Sequence, residues 1–215
     1  MKRICLVLFC SLAALITSGC VTSPIVIEKM KIEESKHKLS QRVLLVTDGE
    51  FLSFKHNEKQ LGTSFEYDLG FYLKNAIHDS LKSVFEAVAQ TDTSSMNDKF
   101  DLVIKPTVLS FSAPVPALVV MRTKTEVTIR YEVIPQAPLK SYFITSTGTY
   151  ELLDDQDKKV YNSLTGRDIY TYNASTNFGM AIPNYSYEAG KDAYMAVYHA
   201  LRDLNSQLLA ELASS

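Results

Sequence analysis

The sequence predicts an α+β fold, a mixed, largely antiparallel sheet with two helices packed on one face. Three observations carry this expectation. From Leu118 to Ile134 the residues alternate: Val119, Met121, Val127, Ile129, Tyr131 and Val133 on one side, Arg122, Lys124, Glu126, Thr128, Arg130 and Glu132 on the other. Period two with one apolar and one polar side marks a sheet buried on one face. Leu69, Leu73, Ile77, Leu81, Val84 and Val88 recur at helical spacing. So do Ala189, Ala193, Val197, Ala200, Leu201, Leu204, Leu208 and Leu212. Each set covers one helical face.

The chain begins with a basic pair, Lys2 and Arg3, and an apolar run from Ile4 to Ile16. A secretory signal has this form: a basic start, roughly 7–15 apolar residues and a small-residue cleavage site. The run is too short for a transmembrane helix, which needs about 20 residues. It ends at Thr17-Ser18-Gly19-Cys20, which resembles the lipobox of Gram-negative bacterial lipoproteins. Thr17 departs from that pattern, in which Leu is commonest three residues before the cysteine. The resemblance implies a diacylglyceryl thioether on Cys20, cleavage before it, and acylation (palmitate or a similar chain) of the new amino terminus. Membership would divide the chain into a signal peptide (residues 1–19), a lipidated cysteine with its tether (20–40) and one domain (41–215). It also implies an anchor in the outer membrane with the domain facing the periplasm. The inner-membrane retention signal is Asp directly after the cysteine, and here that residue is Val21.

The cysteines agree with this reading. Cys5, Cys10 and Cys20 are the only three. Two leave with the signal and the third carries lipid, so no disulfide framework is expected. The net charge of −2 becomes more negative by two when Lys2 and Arg3 are removed. An acidic balance argues against a nucleic-acid partner and against electrostatic adsorption to anionic lipid.

Taken in order, Val21 to Ser40 reads as a tether, with Ile25 to Ile27 as a possible edge strand. Arg42 to Thr47 is a short apolar run ending at Asp48-Gly49, a buried central strand and a turn. Glu50 to Leu61 reads as a polar connection with scattered Phe51, Leu52 and Phe54 and room for another short strand. Thr63-Ser64-Phe65-Glu66 has the form of a capping box opening the first long helix. Gln90 to Lys99 reads as a loop. Phe100 to Phe111 reads as a strand in which Pro106 marks an edge or a bulge. Tyr142 to Leu153 pairs with the alternating strand. Asp154-Asp155-Gln156-Asp157 reads as a solvated hairpin turn leading to Val160-Tyr161. The last helix spans about Ser186 to Ala213, and its early small residues suggest close approach to a sheet.

The strands Phe100–Phe111, Leu118–Ile134 and Tyr142–Leu153 with the closing helix resemble YajG-type lipoproteins and the auxiliary lipoproteins of ABC-type transport systems. The likeness covers roughly Arg42 to Leu212 and is one of pattern. It implies a non-catalytic accessory or structural role in envelope transport or assembly, and it transfers no functional residue.

The chemistry-bearing residues are sparse. His37, His56, His78 and His199 have no ligand-spaced companion, so no metal and no cofactor are expected. There is no Gly-x-Ser-x-Gly elbow. Ser35-Lys36-His37-Lys38 matches Ser-x-x-Lys only within a charged stretch. Asp154 to Asp157 lacks the later Gly and Glu of a calcium loop. The expectation is therefore no enzyme, with a periplasmic hydrolase of scattered residues as the alternative. A peptidoglycan anchor has no motif here. Tyr161, Tyr170, Tyr172, Phe178, Tyr185, Tyr187, Tyr194 and Tyr198 crowd the last third. Such rings either cover the sheet or form an interface. Tyr170, Tyr172, Phe178, Tyr185 and Tyr187 are the candidate partner surface, for an envelope protein whose identity the sequence does not give.

Overall fold

The computed structural model describes residues 21–35, 38–60, 63–93, 99–113, 124–136, 138–151, 155–166 and 181–214. Of residues 181–188 it describes the backbone alone. The strands are β1 (Val21–Pro24), β2 (Leu39–Val46), β3 (Lys55–Gln60), β4 (Thr63–Asp68), β5 (Phe85–Thr91), β6 (Leu102–Ser112), β7 (Lys124–Pro135) and β8 (Tyr142–Glu151). The helices are α1 (Gly49–Leu52), α2 (Gly70–Val84), α3 (Asp155–Thr165) and α4 (Ala181–Ser214). The class is α+β as expected, with two sheets in place of one and two further helices. One sheet has the order β1-β4-β3, the other β5-β2-β6-β7-β8. Pairing is evenly mixed: β1–β4, β2–β5 and β2–β6 are parallel, while β3–β4, β6–β7 and β7–β8 are antiparallel.

β2 is central because Val43, Leu44, Leu45 and Val46 are apolar on both faces, and all four are buried. Arg42 and Asp101 fasten the start of β6 beside it. The Arg42 backbone N–H donates to Asp101 Oδ2 at 2.7 Å, and the guanidinium reaches Oδ1 at 3.1 Å. That guanidinium holds the Asp101 carboxyl below its ordinary range. Asp48 caps α1 by accepting the Phe51 N–H at 2.8 Å. The alternation in β7 places Val127, Ile129, Tyr131 and Val133 in the core. The part of that pattern before Lys124, with Val119, Met121 and Arg122, lies outside the described residues. β2 accompanies β6 only to Ile104, so at Pro106 β7 is the one neighbour, and the ladder shifts register between Val108 and Ser110. The missing N–H therefore falls at a local edge just before an irregularity, where a proline is tolerated.

Several expectations are corrected. Thr63 to Glu66 caps no helix; it belongs to β4, whose Phe65 and Tyr67 alternate into the core opposite Glu58 and His56 of β3. Alternating β-formers held between two strands outweigh the capping motif, and the helix that follows starts only after Leu69. α2 starts at Gly70, where an added Cβ would strike the Leu52 carbonyl at the end of α1. Its stripe ends at Val84, because Phe85 turns to extended backbone (φ −113°, ψ 147°) and opens β5 alongside β2. Val88, four residues on, therefore keeps helical spacing while belonging to a strand. The connection read in Glu50 to Leu61 does hold the short strand allowed for it, β3, and only the turn of α1 before it is unexpected. Asp155 to Asp157 open helix α3, with Asp154 outside the described residues. Gly166 ends that helix at φ 71°, its N–H donating to the Asn162 carbonyl at 2.9 Å.

α4 packs on β7 and β8, α2 on β2 and β5, and the two helices touch each other. Leu73, Ile77 and Leu81 of α2 share one buried cluster with Ala193, Val197, Leu201, Leu204 and Leu208 of α4 and with the core residues of β2, β6, β7 and β8. Leu44, Val46 and Val103 form a second, smaller cluster with Ala89, Phe100 and Ile134. Gly148 sets the approach of α4 to β8: a Cβ there would fall on the Ala196 carbonyl oxygen and the Ala200 amide nitrogen. This is the close approach that the small residues of α4 suggest.

The stretch expected as a tether is built into the domain. Val21 to Pro24 pairs with Thr63 to Glu66 in β1, and the Ile25 N–H donates to the Glu66 carbonyl at 2.8 Å. Ile25 and Met30 are buried. The Val26 carbonyl lies against Gly190, where a Cβ would strike it. The Ser35 N–H then reaches the Ser83 carbonyl of α2 at 3.1 Å.

Candidate anchor and partner surface

Cys20 and the rings of Tyr170, Tyr172 and Phe178 lie outside the described residues, as does His37. Tyr185 and Tyr187 fall within the backbone of α4, and nothing is described of their side chains. What the structure does place is the rest of the tyrosine group. Tyr161 and Tyr194 are buried and meet edge to face, their centroids 5.2 Å apart. The Tyr194 hydroxyl accepts the Lys31 N–H at 3.3 Å and lies 3.5 Å from the Lys31 carbonyl. Tyr198 is 9% exposed, with the Arg202 guanidinium 5.8 Å above its ring. Tyr72 of α2 lies close enough to Tyr161 and Tyr194 to feel their charge state. Burial raises the phenols of Tyr72, Tyr194 and Tyr198, so all three stay neutral at ordinary pH. These rings weld α2, α3, α4 and the segment after β1 into one core.

Beside them, Lys191 and Asp192 are buried, at 3% and 8% exposure, with Nζ 4.0 Å from Oδ1. Burying two charges costs several kcal/mol before their attraction is counted. Sequence reasoning missed this pair, because adjacent charges on a helix ordinarily face water. No local signal marks them; burial follows from the packing of the first described turns of α4.

The histidines divide into separate contacts. His56 Nε2 is 2.9 Å from Glu58 Oε1, and its ring packs against those of Tyr67 and Phe111. His199 Nε2 is 2.9 Å from Asp157 Oδ1 and joins α4 to α3. His78 Nδ1 is 3.4 Å from Asp79. Ser53, Ser80 and Ser83 donate to the Glu50 carbonyl, Asn205 Oδ1 and the Ser80 carbonyl. Among the described residues no three His, Cys, Asp or Glu side chains group as a metal site would require. A shallow depression of about 330 Å³ lies over the polar face of the large sheet, lined by Asp48, Lys105, Thr107, Arg130, Glu132 and Phe143. Within it Lys105 is 3.7 Å from Glu132, and Arg130 sits 5.4 Å over the exposed Phe143 ring.

No family model matches the chain, and no curated protein matches it. Among solved structures it is similar to protein XCC0632 of Xanthomonas campestris, of the family DUF330. Identity there is 10%, 89% of this chain and 99% of that one are covered, and the TM-score is 0.49. It is also similar to the hypothetical protein CT253 of Chlamydia trachomatis, at 10% identity, 79% and 96% coverage and a TM-score of 0.40. A candidate lipoprotein of Caulobacter crescentus matches at 11% identity, 68% and 84% coverage and a TM-score of 0.33. Scores this low do not establish a shared fold.

Proposed function

We propose that the protein is a lipid-anchored envelope protein without catalysis, an accessory or structural subunit of a transport or assembly system. The observation that carries this reading is the Gly19-Cys20 junction behind Lys2, Arg3 and the apolar run of 4–16. Two or more acyl chains on Cys20 give stable attachment, at about 0.8 kcal/mol per buried methylene. Among the described residues no helix is long and apolar enough to cross a membrane. Val21 in place of Asp supports an outer-membrane anchor under the enterobacterial sorting pattern. Mass spectrometry of the first tryptic peptide should show acylated Cys20 at the amino terminus, and fractionation should find it with the outer membrane. An unmodified Cys20 peptide, or wild-type protein in the soluble fraction, would sink the reading. Recovery with the inner membrane would overturn the sorting alone.

The partner surface of this reading is the segment with Tyr170, Tyr172, Phe178, Tyr185 and Tyr187. Rigid rings among Asn, Ser and Thr supply contact area with adaptable hydrogen bonding. Changing Tyr170 and Tyr172 together to Ala should leave the melting curve nearly unchanged and weaken co-purification of the envelope partner. A large loss of thermal stability with binding retained would assign those rings to the core, alongside Tyr161 and Tyr194.

A further inference from the structure

The first described residue after the proposed lipid attachment point is already a strand. Val21 pairs with Thr63, Thr22 with Ser64, Ser23 with Phe65 and Pro24 with Glu66. No residue separates Cys20 from this ladder. A free tether of residues 20–40 would reach at most about 70 Å, since an extended chain spans about 3.3–3.6 Å per residue. Here that length is spent along the domain, held by the Ile25, Lys31 and Ser35 backbone bonds and by the buried Ile25 and Met30.

The register also fixes which end of the small sheet the cysteine adjoins. Thr63, the partner of Val21, pairs on its other side with Gln60, and Lys59 pairs with Ser64. The β3–β4 hairpin end therefore lies beside the anchor, within about 10 Å at a strand spacing near 4.8 Å. The charges of the exposed sheet face are graded to match. Lys55, toward the far end, is occupied by Glu66 at 2.9 Å, with Asp68 beyond it; Lys59 is the lysine of this sheet at the anchor end. Lys59 favours contact with a phosphate-bearing surface at the near end, whereas Glu66 and Asp68 disfavour it at the far end.

Building on the lipoprotein reading, we propose that the domain stands end-on against the bilayer. The β3–β4 end of the small sheet, with Lys59, touches the phospholipid headgroups instead of hanging from a flexible leash. The acylated protein has no other cysteine once residues 1–19 are gone, so an introduced cysteine is a unique labelling site. Lys59→Cys and Asp68→Cys, each labelled with bimane, would be reconstituted as full-length acylated protein. The vesicles would be phosphatidylethanolamine and phosphatidylglycerol with a headgroup-nitroxide lipid. Asp68 lies four pairs beyond the Lys59–Ser64 position, about 13 Å farther along the sheet. Quenching at Lys59→Cys is expected to exceed that at Asp68→Cys, because this offset sets the second label farther from the headgroups. Inserting a long Gly-Ser run between Cys20 and Val21 should abolish that quenching while the acyl mass stays. Equal quenching at both positions, or quenching indifferent to the insertion, would overturn the end-on orientation and leave the lipoprotein reading standing. A peptide with Cys20 unmodified would remove the anchor, and both ideas with it.

Discussion

Replacing Gly148 with alanine is expected to destabilise the domain by about 3 kcal/mol or more, at the upper end of what overpacking costs. The new Cβ would fall on the Ala196 carbonyl oxygen and the Ala200 amide nitrogen, both backbone atoms of α4. A clash with a long side chain is relieved by a new rotamer. A clash with a helix backbone is relieved only by lifting the helix, and α4 is the element that covers β7 and β8. Its Ala193, Val197, Leu201 and Leu204 would all lose contact together. Gly49→Ala is the internal control, because a Cβ there meets nothing within 4 Å. It should change stability by no more than about 0.5 kcal/mol, as for surface positions generally. Urea denaturation of the chain from Val21 onward measures both. A Gly148→Ala variant as stable as Gly49→Ala would mean that α4 does not cross β8 at this glycine.

Tyr194→Ala should cost about 3–5 kcal/mol, the range for deleting a buried aromatic ring. The ring is fully buried and packs edge to face on Tyr161, so no neighbour is free to fill the space. Tyr194→Phe keeps the ring and removes only the hydroxyl that meets the Lys31 backbone, a loss of about 1 kcal/mol. The two variants separate core filling from fastening of the leading segment. In Tyr194→Phe, amide exchange should quicken at Lys31 and its neighbours, with little change at Leu201 or Leu204. Unchanged exchange around Lys31 would show that the Tyr194 hydroxyl does not fasten the segment, leaving the β1 ladder, the Ile25 and Ser35 backbone bonds and the buried Ile25 and Met30 to hold it.

The fold was legible in sequence wherever a long element carried its own period. β7 and β8 and the stripes of α2 and α4 could be read because amphipathic faces repeat at 2.0 or 3.6 residues over many positions. The misreadings sit at short elements. Thr63 to Glu66 satisfies a capping box and an alternating strand equally well, and four residues contain too few repeats to choose. Val88 keeps the helical spacing of α2, yet it lies in β5, paired with Val43 of β2. Asp155 to Asp157 suit a turn and also the first turn of a helix, where acidic side chains favour the dipole. The buried Lys191 and Asp192 were invisible because burial is set by what packs on a helix, not by its own charge pattern.

The anchor divides the same way. A peptidase and an acyltransferase read an extended chain, so a cleavage signal must be written in consecutive residues, and the sequence alone marks Cys20 as the proposed attachment point to test. Where the domain sits relative to that point was not written there. Val21 to Ser35 is polar enough to pass for a linker, and it is held by backbone hydrogen bonds to β4 and α2, which are nearly blind to side-chain identity. Only the tertiary structure, by offering the open edge of β4 and the bare backbone at Gly190, decided that this stretch is packed against the domain.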